Sequence, residues 1–175
     1  MTPADIRELY RRKASAMTRR PGFARGSGQA RVRLGQGFAC DVHVEDRTLR
    51  ADQPPGEGGQ GSGPHPGQLM RASLGACLAM GYRTWGARLE VEIESVDVDM
   101  TCIYDARGQM DLAADVAVGW QEIAFDVTIA SAAPEGDIRR VVETADRLSP
   151  MLANLSPAVR RVHRLTIVRP TGGSR

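Results

Sequence analysis

The chain has 175 residues, with 23 basic and 21 acidic side chains and a formal charge of +2. That length suits one domain with a real core that needs no disulfides. So balanced a charge argues against a nucleic-acid partner. The longest mostly apolar stretch, Leu74 to Met80, falls far below the ~18 residues of a membrane span, so no membrane partner is expected. The charged start "MTPADIRELYRRK" has no apolar core of signal-peptide type. Together with three cysteines, Cys40, Cys77 and Cys102, it points to reduced thiols in a cytoplasmic setting. The cysteines form no CxxC, and with the three histidines they make no compact ligand cluster, so neither a metal nor another cofactor is expected.

Residues 3–19 read as an amphipathic helix. Thr2 is its cap, Pro3 suits the first turn, and Ile6, Leu9, Tyr10 and Met17 supply apolar contacts. The linker "RRPGFARGSG" follows. Ala30, Val32 and Leu34 then alternate with Arg31 and Arg33, and Phe38, Cys40, Val42 and Val44 alternate with Ala39, Asp41, His43 and Glu45. This predicts two strands joined by a tight turn at "GQG", each with one buried face. "RTLRAD" adds a short third strand.

"QPPGEGGQGSGPHP" is rich in glycine and proline and is therefore a long loop; loops of this length are either disordered or functional. It leads into a helix predicted from Leu69 to Leu89, with Pro66 as a first-turn residue. Around Cys77 this helix is apolar on most sides (Ala72, Leu74, Ala76, Leu78, Ala79, Met80), which predicts a core helix covered on several faces. Its small residues, Gly75, Ala76, Ala79 and Gly81, allow close approach.

After Leu89 the period changes to two, and Val96, Val98, Met100, Cys102 and Tyr104 mark a long strand. "DARGQ" turns the chain. Ile123, Phe125, Val127 and Ile129 mark another strand. Ile138, Val141, Val142, Ala145 and Leu148 follow helical spacing after Pro134, and Pro150 and Pro157 break off a short second helix. His163, Leu165 and Ile167 close the chain as a strand. Hairpin-connected strands with segregated helices mean α+β rather than a doubly wound sheet.

Cys40 and Cys102 fall on apolar strand faces and read as structural thiols. Cys77 is undecided by composition. Its neighbours are apolar, and it lies about ten residues inside its helix, where the dipole does not lower a thiol pKa.

"GGQGSGPHPGQLMRASLGACLAM" resembles the central signature of the OsmC/Ohr family, in which a Gly- and Pro-rich loop runs into a long buried helix with an "ALGAC" core. Here the core reads "SLGAC". The flanking order of strands and helices is also similar, over roughly residues 28–170. The resemblance implies an OsmC-like fold of antiparallel sheets wrapped around long central helices in an intertwined homodimer. The chain then divides into an extra N-terminal helix and linker (1–27), an OsmC-like domain (28–170) and a tail (171–175).

The resemblance also implies thiol-dependent reduction of organic hydroperoxides, with Cys77 as the peroxidatic cysteine. Its thiolate attacks the peroxide, an alcohol leaves and a sulfenic acid remains. Three departures follow. The family's resolving Cys-Pro pair is Ser149-Pro150 here. The first hairpin turn, "LGQGF", offers Gln36 where the hydroperoxide-reductase branch has an arginine holding the thiolate, and an amide does not form an ion pair. Glu57 is the only candidate for the loop glutamate that orients that arginine, and in "PGEGGQ" it is displaced by one position.

Plainer roles stand beside these. Glu57 can be a solvated loop carboxylate and Ser149 an N-cap before a proline. Arg71 and Arg83 can neutralise a thiolate or simply face solvent, and His65 can give a proton to a leaving alkoxide or be an ordinary loop histidine. The expectation is a one-cysteine thiol peroxidase recycled by an external thiol reductant. The alternative is a non-catalytic dimer of the same fold binding a small apolar ligand at the subunit interface. A third reading is a structural partner protein with Cys77 inert. Cysteine at 77, where the chemistry requires it, puts the enzyme first; fold alone does not.

Overall fold

The computed structural model describes residues 1–155 and 157–170; the expected tail at 171–175 lies outside them. The chain forms two compact units, one of Met1–Arg12 with the residues from Ser73 onward, the other of Lys13–Ala72.

The second unit holds a three-stranded antiparallel sheet in the order β1-β2-β3, with β1 Ala30–Leu34, β2 Cys40–Val44 and β3 Arg47–Ala51. Val44 pairs with Arg47, so β2 and β3 are joined by Glu45-Asp46 alone. Glu45 adopts φ +53, as the mirror-image turns of two-residue hairpins require. The first turn is longer than expected. Leu34 pairs with Cys40, which leaves Phe38 and Ala39 outside the strand. Pairing puts Val32, Val42 and Leu49 in one row and Leu34, Cys40 and Ala51 in the next, an apolar face. That face is not the buried one expected: Val32, Leu34, Val44 and Leu49 are all exposed.

The first unit holds β4 (Ser95–Ile103), β5 (Glu122–Ala130) and β6 (Arg160–Val168) in that order. β4 and β5 are antiparallel, whereas β5 and β6 are parallel. The expectation of purely antiparallel sheets is corrected at this pairing. The chain between β5 and β6 carries two helices, α4 (Glu135–Arg147) and α5 (Pro150–Ala153), and such a crossover returns a strand in the same direction. The stretch expected only to turn the chain contains a one-turn helix, α3 (Ala106–Gln109), capped by Asp105.

The long helix α2 (Pro66–Arg88) has 23 residues, those from Ser73 belonging to the first unit. Leu74, Leu78 and Tyr82, four residues apart, are fully buried and join Ile123, Phe125, Val127 and Ile129 of β5 and Ile138, Val141 and Val142 of α4 in one core. Close packing depends on missing side chains: a Cβ on Gly75 would sit 3.2 Å from Met100 Cγ, and one on Gly86 2.8 Å from Ile93 Cδ1. Only this stripe of α2 is covered. Met80 is 69% exposed and Ala72, Ser73 and Ala76 are exposed, so the expected covering of several faces is not met within one chain.

The N-terminal helix α1 spans Pro3–Arg19. Thr2 Oγ1 accepts from the Asp5 N–H while Asp5 Oδ2 accepts from the Thr2 N–H, a reciprocal cap. Arg7 pairs with Glu90 at 2.9 Å. Met17, expected to make apolar contact, is exposed. Among the described residues no helix is long and apolar enough to cross a membrane.

Candidate functional site

Cys77 sits at the middle of α2, half-buried, and its Sγ lies 3.7 Å from Ser149 Oγ. Ser149 is buried and is the N-cap of α5, its Oγ accepting from the Leu152 N–H at 3.3 Å. Pro150 follows at the first helical position, where a missing N–H costs nothing. The capping role and the position opposite the thiol therefore belong to the same hydroxyl. With one lone pair occupied by Leu152, its proton can point at the sulfur.

Both residues line a cavity of about 620 Å³. One wall is a stripe of α2 that includes Cys77, Gly81, Thr84 and Arg88; the other is the end of α4 with Leu148, Ser149 and Met151. Tyr10 of α1 also reaches it. Leu148, expected in the α4 core, is instead 47% exposed on this wall. No carboxylate lines the cavity among the described residues.

A buried polar group fixes the end of α4 that carries Ser149. Tyr82 OH donates to Asp146 Oδ1 at 2.8 Å, and His163 Nδ1 lies 2.9 Å from Asp146 Oδ2. The Asp146 carbonyl accepts from the Ser149 N–H at 3.2 Å. Burial, then the Asp146 charge, pushes the Tyr82 hydroxyl well above the usual phenol range, so it remains a donor. The buried His163 Nε2 has no hydrogen-bond partner among the described residues; the ring packs on Phe125 with centroids 4.9 Å apart. The sequence did not single out Tyr82, and nothing in the spacing of residues 82, 146 and 163 links them.

Gln36 and Glu57 lie in the second unit, and both are exposed. Gln36 is in the β1–β2 turn, and Glu57 ends a one-turn 3-10 helix, Pro55–Glu57. Their segments meet: a Cβ on Gly58 would lie 3.2 Å from the Phe38 ring. The loop itself is organised by Asp52, which sequence reasoning missed. Asp52 is buried, and its carboxylate accepts from the N–H groups of Gln53 (2.8 Å), Gln60 (3.2 Å) and Ser62 (3.0 Å) and from Ser62 Oγ (2.8 Å). These donors, Ser62 foremost, hold its pKa below the usual aspartate value.

The remaining candidates have structural duties. His65 caps α2, its Nδ1 accepting from the Gly67 N–H at 3.0 Å while its own N–H donates to Gln68 Oε1 at 2.8 Å. Arg83 is neither a thiolate partner nor fully solvent-facing; its guanidinium donates to the carbonyls of Ile93 and Glu94. Arg71 is half-buried near Gly67. None of the three cysteines is in a disulfide among the described residues. Cys102 packs against the core and Cys40 Sγ lies 3.8 Å from the Phe38 carbonyl.

The family model described as "OsmC-like protein" matches residues 59–162. Cys77 and Ser149 fall inside that range; Tyr10, Gln36 and Glu57 fall outside it. Among solved structures, an OsmC-like protein from Mycoplasma pneumoniae superposes with a TM-score of 0.72 at 15% identity, covering 82% of this chain and 98% of that one. An organic hydroperoxide resistance protein OsmC from Legionella pneumophila gives 0.62 at 17% identity, covering 81% and 97%. The organic hydroperoxide resistance protein OhrB of Bacillus subtilis gives 0.55 at 16%, covering 81% and 98%. At these identities the superpositions speak for the fold. No curated protein matches the chain.

Proposed function

The chain belongs to the OsmC-like protein family, and from that premise we propose that it is a thiol-dependent reductase of organic hydroperoxides with Cys77 as its single reacting cysteine. The observation that carries this reading is the pair Cys77–Ser149, 3.7 Å apart in an apolar cavity. The half-buried thiol faces space large enough for a small organic molecule, and a serine stands where the family pattern has a second cysteine. Peroxide resistance in the names of two structural neighbours supports the same reading.

The chemistry runs as follows. The Cys77 thiolate attacks one peroxide oxygen, the O–O bond breaks, and the departing alkoxide takes a proton to leave as an alcohol. Cys77 is left as a sulfenic acid. With Ser149 opposite, no neighbouring thiol condenses with it. An external thiol forms a mixed disulfide and releases water; a second thiol then restores Cys77 and carries away the disulfide. Ser149 Oγ–H donates to the sulfur during the first step. A hydroxyl stabilises negative charge less than a cation does, so a slower first step than with an ion-paired thiolate is expected.

The family premise also supports a homodimer. The apolar face of β1–β3 and the Met80 side of α2 are both exposed, and apolar surface of that extent marks an interaction site. A second copy is the occupant.

The same cavity also favours one other reading, a ligand-binding protein with an unreactive thiol, because none of the hydrogen bonds or ion pairs of Cys77 is with a cation among the described residues. Brief exposure to tert-butyl hydroperoxide followed by mass spectrometry separates the two. The reductase reading expects one added oxygen, trapped at Cys77 as sulfenic acid; an unmodified Cys77 rejects it in favour of ligand binding.

A further inference from the structure

Charge is unevenly spread along the chain. Between Glu8 and Asp41 stand eight basic side chains and no acidic one, in a chain whose totals are 23 and 21. The near-balance of the whole therefore conceals a strongly basic N-terminal stretch and a net acidic remainder. Every residue from 17 to 38 is exposed, so the charges of this stretch stand in water. Arg11 and Arg12 pair with Glu8, but Arg19, Arg20, Arg25, Arg31 and Arg33 pair with no carboxylate among the described residues. Arg19 donates to Ser15 Oγ at 2.8 Å, and the Arg20 guanidinium carbon lies 5.5 Å from the centroid of the Phe23 ring.

Two apolar side chains stand among these arginines without cover: Met17 is 40% and Phe23 61% exposed. Phe23 is held out by ordered backbone, a short 3-10 helix at Pro21–Ala24. The Phe23 N–H donates to the Arg20 carbonyl at 2.9 Å and the Arg25 N–H to the Gly22 carbonyl at 3.2 Å. Arginines flanking exposed apolar side chains suit an interface that is anionic at its surface and apolar just beneath.

We propose that residues 17–33 dock the protein on an anionic lipid surface, with Arg19, Arg20 and Arg25 among the phosphates and Met17 and Phe23 between the headgroups. Arg31 and Arg33 of β1 add charge on the sheet face opposite Val32 and Leu34, so the apolar face assigned to a second copy stays available to it. The expectation of no membrane partner rests on the lack of a span, and docking on headgroups needs none. A nucleic acid would satisfy the arginines but leave Met17 uncovered, which favours the lipid. The segment precedes the family match at 59–162, so docking is a feature of this chain rather than of the matched core. It does not depend on the reductase reading.

Sedimentation of the intact protein with sucrose-loaded vesicles tests it, using phosphatidylcholine alone and phosphatidylcholine with about one third phosphatidylglycerol. The anionic vesicles should bind about tenfold more tightly or better, and about 0.5 M salt should remove most of that difference. Arg20→Glu combined with Arg25→Glu should abolish the preference, and Phe23→Ser should weaken binding to anionic vesicles about tenfold. Both variants should keep the wild-type mass in sedimentation equilibrium. No binding to anionic vesicles, equal binding to neutral ones, or wild-type binding by the charge-reversed protein would overturn the proposal. So would a changed mass in either variant, which would give the segment to a second copy. Tighter binding of a single-stranded oligonucleotide at equal charge concentration would also overturn it, in favour of nucleic acid. No peroxide enters these measurements, so they stand whether or not Cys77 oxidises.

Discussion

Tyr82 on α2 donates its hydroxyl to Asp146 at the end of α4, 2.8 Å away, and that contact ties the helix of Cys77 to the segment of Ser149. Five residues separate Tyr82 from Cys77 and three separate Asp146 from Ser149, so the pair sets the distance between thiol and hydroxyl from one turn away.

Tyr82→Phe should therefore act on both stability and site. The change keeps the buried ring but leaves Asp146 Oδ1 without its donor, a loss of about 1 kcal/mol, read as a lower urea midpoint at unchanged slope. The alkylation rate of Cys77 should change in the same variant, because Ser149 is less firmly held. Unchanged stability would mean that water replaces the hydroxyl and that His163 alone holds the carboxylate.

Much of the fold was legible because one-dimensional periodicity reports it directly. The alternation in Val96–Cys102 marks the face that packs on the core, and the helical spacing of Ile138, Val141, Val142 and Ala145 marks a face that is buried. Periodicity is silent on direction, which is why β6 was not foreseen parallel to β5. It is silent too on what covers a face: the apolar row Val32–Val42–Leu49 looks the same whether its cover is the same chain or another. At the site, the resemblance singled out Cys77 and Ser149, and their side chains lie 3.7 Å apart. The Asp146 and Asp52 networks were not, because a carboxylate that gathers donors across many residues leaves no spacing to read.

Asp52 gives a pH prediction. Its folded pKa is lowered by the Gln53, Gln60 and Ser62 donors, so its contribution is present above the unfolded aspartate value of about 3.9 and is lost as pH falls through the lower folded value. The loop 53–65 should open to proteolysis below about pH 4 before the first unit unfolds. Asp52→Asn should show that opening already at neutral pH, since an amide cannot accept the same set of bonds. A loop equally protected in both proteins across this range would show that its glycine turns, not Asp52, hold it.

The exposed apolar surfaces predict assembly. Sedimentation equilibrium at micromolar concentration should give a mass near twice the 18.9 kDa of the chain. Met80→Glu, on the open stripe of α2, should shift the protein toward monomer, because a charge there would be buried without a partner. A strictly monomeric wild type would remove the dimer from the proposed function.

The oxidised state offers the most demanding test of the site. Because Ser149 stands opposite Cys77, wild-type protein exposed to an organic hydroperoxide should hold sulfenic acid at Cys77 without an intramolecular disulfide; Cys40 and Cys102 are committed to sheet positions. Ser149→Cys replaces an oxygen 3.7 Å from Sγ with a second thiol. A disulfide needs Cα atoms about 4.4–6.8 Å apart and Cβ atoms about 3.5–4.5 Å apart, a spacing that side chains already in contact can reach by small rotations. The variant should lose some stability, because sulfur is a poor cap for the Leu152 N–H, a cost of about 1 kcal/mol. After peroxide treatment it should form the 77–149 disulfide, which dithiols then reduce. Peptide mapping of the oxidised variant decides the matter: sulfenic acid at Cys77 beside a free thiol at 149 would show that the two side chains do not meet in solution, and the assignment of Ser149 to the resolving position would be withdrawn.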